Sequence, residues 1–293
     1  MNIIAIPDLH LDKNFNVTFG NSKKWANKPL ELIKQILQDE NPDKIIFLGD
    51  IFNTCQPSYH SVFQFLQSID GHEDCAVLAG NHDIPKTKVS SVMDYISDYM
   101  TVVQPNEIRE LHDSYYGLGW CDTQQVFEDK LSNIITDSTC SIVFVHGAYN
   151  NWENEMDNVV NDKLINLAKK NNVKIISGHE HISNFRKDTL FHLGSIMPMN
   201  IGELGKKYYW SSLNGFVEID HKVGSSLTDD VILARKDIEP QGDKPIYIKK
   251  KKEMTSEDIK MEEKELDVDV LDDFKKEAEL AGFDSEFIKE MIS

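Results

Sequence analysis

Five short stretches carry side chains able to hold metal ions: Asp8-Leu9-His10, Gly49-Asp50, Gly80-Asn81-His82-Asp83, His146-Gly147 and Gly178-His179-Glu180-His181. Carboxylate, amide oxygen and imidazole together suit divalent ions of intermediate softness, such as manganese, iron or zinc. A carboxylate bridging two cations roughly 3.5–4 Å apart provides the arrangement that serves in-line displacement at phosphorus. In Asp8-Leu9-His10 and His179-Glu180-His181, alternation along an extended chain turns the outer two residues the same way. Taken singly, each stretch has a plainer explanation. Asp8 could cap a turn, Asp50 a helix, and His179 could be a hydrogen-bonded loop residue. Five in order are what carry the metal reading.

The elements that must position them can be read from the apolar runs. Ile3 to Ile6, Lys44 to Leu48, Ala76 to Leu78, Ser141 to Val145 and Lys174 to Ile176 each precede one of the five stretches, as strands would. Between the first two runs, Pro29 suits a helix start, and Leu30, Ile33, Ile36 and Leu37 make one apolar face. Similar spacing recurs around Val62, Phe63 and Leu66, and around Val92, Tyr95 and Ile96. Strands alternating with helices predict an α/β core, in which ligand sites gather at the carboxyl ends of the strands. From Leu190 the texture changes to consecutive strands (FHLGS, NGFVEID, DDVILARK), which suits a second sheet. The predicted organisation is a domain over 1–239, a linker with an edge strand and a basic end over 240–260, and a helical tail over 261–293.

Bulk properties bound the function. With 40% hydrophobic residues in a chain of 293, a substantial core is expected. No apolar run is long enough to cross a membrane, and MNIIAIPDLH has no basic leader, so a cytoplasmic protein is expected. Cys55, Cys75, Cys121 and Cys140 lack CxxC spacing and read as reduced thiols. The formal net charge of -18 argues against nucleic acid at first sight. More than half of it sits after Lys252, where 15 acidic residues face 5 lysines, and an acidic metal centre also looks negative until its cations are counted.

In order, DLH, GD, GNHD, a lone strand-end His and GHEH resemble the five motifs of the calcineurin-like metallophosphoesterases. The resemblance implies a four-layer α/β/β/α sandwich and a two-metal site. One ion would take Asp8, His10, Asp50 and His181. The other would take Asp50, Asn81, His146 and His179, with Asp50 shared. His82 would face the phosphate as a catalytic acid and Asp83 would orient its imidazole.

Within that superfamily, GDIFNTCQPS lacks the arginine of the protein phosphatases. It is similar to the GDLFH…PS segment of SbcD-type DNA-repair nucleases, and GSIMPMNIGE, from Gly194 to Glu203, is similar to their GSPxPxxxGE. As geometry that segment reads as a turn joining strands; Ser195, Pro198, Gly202 and Glu203 mark the branch. The branch implies a DNA exo- or endonuclease with Mn2+ favoured over Mg2+, Fe2+ or Zn2+. It also implies dimerisation through the early helices and an SbcC-like, SMC-type coiled-coil ATPase as partner. Asn53 departs from the His many of these nucleases carry. Asn53, Ser195, Lys206 and Lys207 are candidate substrate contacts, and Lys23, Lys24 and Lys249 to Lys252 candidate phosphate contacts. Leu266, Val270, Leu271 and Phe274, then Phe287, Ile288, Met291 and Ile292 after Gly282, fall at helical spacing and suit docking on the ATPase. The alternative is a phosphatase or phosphodiesterase acting on a small nucleotide or a phosphoprotein.

Overall fold

The computed structural model describes residues 1–13, 27–85, 90–149, 158–199, 203 and 205–221. DDVILARK, the linker and its lysines, the helical tail, Lys23, Lys24, Trp25, Trp152 and Gly202 lie outside them. Two six-stranded sheets face one another. The first is built from β1 (Ile3–Ile6), β2 (Lys44–Phe47), β3 (Cys75–Leu78), β4 (Thr101–Val103), β13 (Tyr208–Ser211) and β14 (Gly215–Glu218), in the order β14-β13-β1-β2-β3-β4. The second comprises β5 (Ile108–His112), β6 (Tyr115–Leu118), β7 (Ile142–His146), β10 (Lys174–Gly178), β11 (Asn184–Arg186) and β12 (Leu190–His192), in the order β11-β12-β10-β7-β6-β5. A small parallel pair, β8 (Ala148–Tyr149) and β9 (Val159–Val160), follows β7. β1 to β4 are mutually parallel, as are β6, β7, β10 and β12. Each parallel set therefore delivers its carboxyl ends to one edge.

Alternation along the strands assigns the layers. Ile4, Ile6, Ile45, Phe47 and Val77 point outward, against α1 (Lys28–Glu40), α2 (Tyr59–Ser68) and α3 (Val92–Ile96). Ile3, Ala5, Ile46, Leu48, Ala76 and Leu78 point inward, against Phe144, Ile176 and Leu193 of the second sheet. Val143, Val145 and Ile175 face α4 (Gln124–Thr136) and α5 (Asp162–Lys170). Strands buried on both faces need the near-continuous apolar runs seen here. Each Val, Leu, Ile or Phe so buried contributes roughly 1.5–3 kcal/mol. The result is the four-layer α/β/β/α sandwich.

The helices start and stop where side chains can satisfy their free backbone groups. The Ser58 Oγ accepts the Ser61 N–H at the head of α2, Thr123 and Asn161 do the same for α4 and α5, and Asn41 closes α1 in a left-handed conformation. Two faces differ from expectation. In α3, Met93 joins Val92 and Ile96 inside while Tyr95 is half exposed. In α2, Val62 and Phe65 are the buried pair. The four cysteines are free thiols. Among the described residues no helix is long and apolar enough to cross a membrane.

Candidate metal centre

The carboxyl ends of β1, β2, β3, β7 and β10 bring Asp8, His10, Asp50, Asn81, His146, His179 and His181 into one cluster. His10 and His181 meet Nε2 to Nε2 at 2.8 Å. Asn81 Oδ1 lies 3.1 Å from His146 Nε2 and 3.0 Å from His179 Nδ1. Asp50 Oδ2 stands 3.6 Å from His10 Nε2 and 3.3 Å from His146 Nε2. Asp8, His10 and His181 each offer one ligand atom within 4.8 Å of the others, and so do Asp50, His146 and His179.

The backbone bends sharply to achieve this. His10, Asp50 and His179 all have positive φ, at 46°, 48° and 76°. Left-handed non-glycine residues are uncommon, and they persist where surrounding structure over-determines them, often at functional sites. Gly49 is at φ 104°, and a Cβ there would lie 2.5 Å from His146 Nδ1. A Cβ on Gly80 would collide with the Asp50 backbone and carboxylate. The glycines before Asp50 and Asn81 are thus required by close approach as well as by the turn.

The histidine tautomers follow from the carbonyl and carboxylate partners. His146 Nδ1–H donates to the Leu48 carbonyl at 2.7 Å, which turns Nε2 toward the Asn81 and Asp50 oxygens of the cluster. His181 Nδ1 faces Glu203 Oε1 at 3.1 Å, so its Nε2 is also presented to the cluster. Metal-binding histidines usually have their second nitrogen fixed in this way. Asp8 accepts the His179 N–H at 2.9 Å, tying β1 to β10.

The electrostatics call for positive charge. Asp8, Asp50 and Asp83 are buried, and burial drives the carboxyl groups of Asp8 and Asp83 up, Asp83 well above the usual range. Burial opposes ionisation of Asp50 as well, but the His146 charge and hydrogen bond win and hold it low. Burial works against a charged His146 too, yet Asp50 and Asp8 push it up to about 10. His10 is driven well below the ordinary histidine value by burial, and so is kept neutral. The neutral His10 imidazole, and His146 once a cation takes the place of its proton, give beside the buried carboxylates a donor set for divalent cations, whose charge would offset the cost of burying the anions. The residues present fit such ions.

The surrounding residues divide differently from the sequence expectations. His82 is exposed at the rim; its backbone N–H donates to Asp50 Oδ1 at 2.9 Å and its Nδ1–H to the Asn53 carbonyl at 2.9 Å. Asp83 does not hold the imidazole. Its Oδ2 accepts the backbone N–H groups of Asp50 at 2.8 Å and Gly80 at 3.0 Å, so it shapes the two ligand turns. Asn53 acts on His82 through its backbone, a contact that residue type could not reveal. Ser195 is buried, bridges to Asp8 and donates its hydroxyl to the Met197 carbonyl at 2.6 Å. Lys207 is 1% exposed with its ammonium on the His181 carbonyl. Lys206 is exposed and pairs with Glu218 at 2.6 Å. Three contributors escaped the sequence reading. Trp120 packs its ring 5.8 Å from His146 and 5.4 Å from His179. Glu203, a marker of the branch in sequence, meets His181 Nδ1, and His192, which stands in none of the five stretches, reaches the Gly147 carbonyl beside His146.

Comparison with curated proteins finds no match. Among solved structures the chain is similar to TT1561 of Thermus thermophilus, at 13% identity and a TM-score of 0.43, over 71% of this chain and 93% of that one. It is also similar to a conserved uncharacterized protein, a predicted phosphoesterase, from Streptococcus pneumoniae, at 13% identity and a TM-score of 0.31, over 72% and 80% of the two chains. The calcineurin-like phosphoesterase family matches residues 1–188, a span that ends beyond His181 and holds all seven clustered donors. The chain belongs to the calcineurin-like phosphoesterases, hydrolases of phosphoester bonds that use divalent metal ions.

Proposed function

We propose that this chain is a two-metal nuclease that hydrolyses DNA phosphodiesters as one subunit of an assembly with an SMC-like coiled-coil ATPase. The observation that carries the two-metal part is the reach of Asp50: one carboxylate oxygen lies within 3.6 Å of a His10 nitrogen and 3.3 Å of a His146 nitrogen. Asp8, His10, Asp50 and His181 would hold one ion, and Asp50, Asn81, His146 and His179 the other. Manganese is the favoured ion by resemblance to the nuclease branch; the donor types also accept iron, zinc or magnesium. When bound, the ions neutralise phosphoryl oxygens and make water nucleophilic near neutral pH.

The chain's own groups complete the reaction. His82 spends Nδ1–H on the Asn53 carbonyl, so its Nε2 is the nitrogen able to exchange a proton with a departing oxygen. Its exposure lets a substrate reach it. The Asp50 carboxylate is fixed from the other side by the His82 N–H, which keeps the bridge and the acid in register. Trp120 packs against the rings of His146 and His179 and so helps to hold their orientation.

Support for DNA as substrate comes from GDIFNTCQPS and GSIMPMNIGE. The second of these includes Ser195, which bridges to Asp8, so the segment that marks the branch also braces the first ligand. A cytoplasmic location, dimerisation through the early helices and docking of the ATPase by residues 261–293 belong to the same proposal. The test is hydrolysis with manganese of plasmid, linear duplex and single-stranded DNA beside p-nitrophenyl phosphate and its bis-ester. Cleavage of DNA and the diester is expected. Diester or monoester turnover without DNA cleavage would favour a phosphodiesterase or phosphatase for small substrates. A coiled-coil ATPase copurifying with the full chain, and lost on removal of residues 261–293, is the expected partner result.

A further inference from the structure

His192 lies outside every motif, yet it is a fully buried imidazole one strand away from the cluster. It sits on β12, with Ser177 of β10 as its Cα partner across the parallel pair. The two side chains converge on a single peptide. His192 Nε2–H donates to the Gly147 carbonyl at 2.9 Å, and the Ser177 hydroxyl donates to the same oxygen at 2.8 Å. The Gly147 N–H in turn donates to the Ser177 Oγ at 3.2 Å. Gly147 follows His146 directly, and a side chain would not fit there, since a Cβ would lie 2.8 Å from the Asn158 carbonyl.

The bracket continues toward the other histidines. Glu180, between His179 and His181, accepts the Tyr149 N–H at 2.5 Å, so residues 147–149 are bound at both ends to the 177–180 segment. Its second oxygen lies 3.8 Å from His192 Nδ1, a buried nitrogen without a hydrogen-bond partner among the described residues. A buried imidazole costs free energy to desolvate and is a poor core filler beside the apolar residues of β12. Its geometry explains why it stands there.

We propose that His192 is a positioning residue for the metal centre: with Ser177 it fixes the Gly147 peptide, and through that peptide the placement of His146 against Asn81 and Asp50. The inference rests on the reading of His146 as a ligand. Its consequence is selective. The ion that Asp50, Asn81, His146 and His179 would share depends on the bracket through His146, whereas none of the ligands that would hold the other ion, Asp8, His10, Asp50 and His181, adjoins Gly147 in the chain.

The experiment is calorimetric titration of metal-stripped full chain with manganese, beside the melting temperature of the metal-free form. His192→Leu removes the donor, and His192→Gln keeps an amide N–H able to reach Gly147. His192→Leu should weaken one of the two binding steps by roughly tenfold or more, in the range for lost outer partners of metal ligands. The other step and the metal-free melting temperature should stay near the parent values, and His192→Gln should restore most of the loss. Unchanged affinity in a folded His192→Leu protein overturns the proposal, and so does equal weakening of both steps. If His192→Leu does not fold, His192→Asn, too short to reach the carbonyl, is compared with His192→Gln; equal affinities overturn the proposal and selective loss in Asn supports it. A parent protein that binds no manganese would instead overturn the two-metal reading itself.

Discussion

Asp83 separates two accounts of the Gly-Asn-His-Asp turn. If it oriented the His82 imidazole, its removal would slow turnover and leave the metal centre alone. The structure gives it another task, because one buried oxygen, Oδ2, accepts the backbone N–H groups of Asp50 and Gly80. Asp83→Ala would leave both donors buried and unpaired. Each unmet donor costs about 1–3 kcal/mol, so roughly 2–6 kcal/mol is at stake. For a domain of this size that lowers the melting temperature by about 4 °C at the low end and beyond about 20 °C at the high end. Asp83→Asn behaves differently. Its amide oxygen can take the place of Oδ2 and keep both bonds, and burial already disfavours a charge at this position. Scanning calorimetry and manganese titration on the two variants decide the matter. Asp83→Ala should melt lower and bind manganese weakly, with Asp83→Asn near the parent on both counts. An Asp83→Ala protein with parental melting and metal affinity but slow turnover would refute the reasoning.

Other expectations follow from single contacts. His82→Ala should lower kcat by about 10²–10⁴-fold, the usual contribution of a general acid, while manganese stoichiometry by elemental analysis stays unchanged. Joint loss of both would instead make it a ligand. Glu40, at the end of α1, accepts hydrogen bonds from Tyr209 at 2.8 Å, Asn214 at 3.0 Å, Ser211 at 3.0 Å and Asn2 at 3.1 Å. Burial opposes its ionisation, but these donors prevail and lower its pKa below the ordinary 4.5. A carboxylate with a depressed folded value stabilises above its unfolded value and loses that effect as pH falls through the folded one. The melting temperature of Glu40→Gln should therefore fall short of the parent at pH 6–7, and the gap should narrow below about pH 4.5. A gap that widens in acid would contradict the assignment.

The seven clustered donors were legible because each follows an apolar run, and strands of one parallel set must end on a common edge. The runs by themselves give an α/β core and the sandwich comes from the family resemblance; the strands after Leu190 do not form a second sheet of their own, since β12 joins the second sheet while β13 and β14 return to the first. Strands β5 and β6, at one end of the second sheet, were not legible. Their residues IRELH and YYGL mix charge and aromatics, because an edge has fewer apolar neighbours to satisfy. Helices α4 and α5 are hard to see in the sequence, since QQVFEDKLSNIIT and DKLINLAKK dilute a narrow apolar face with polar residues. Tyr95 was misplaced because helical spacing alone cannot say where a short helix's apolar stripe ends. The roles of Asp83, Asn53, Lys207 and His192 depend on contacts between segments distant in the chain, and residue type and spacing encode none of these. Asn53 is the clearest case, for it works through a carbonyl that every residue possesses.

The central claim is that seven donors from five strand ends surround a cation pair shared by Asp50. Anomalous diffraction from crystals soaked in manganese tests it most directly. The account predicts two peaks about 3.5–4 Å apart, one beside Asp8, His10 and His181 and the other beside Asn81, His146 and His179, with Asp50 between them. A single peak, no peak at saturating manganese, or ions bound away from these side chains would contradict it.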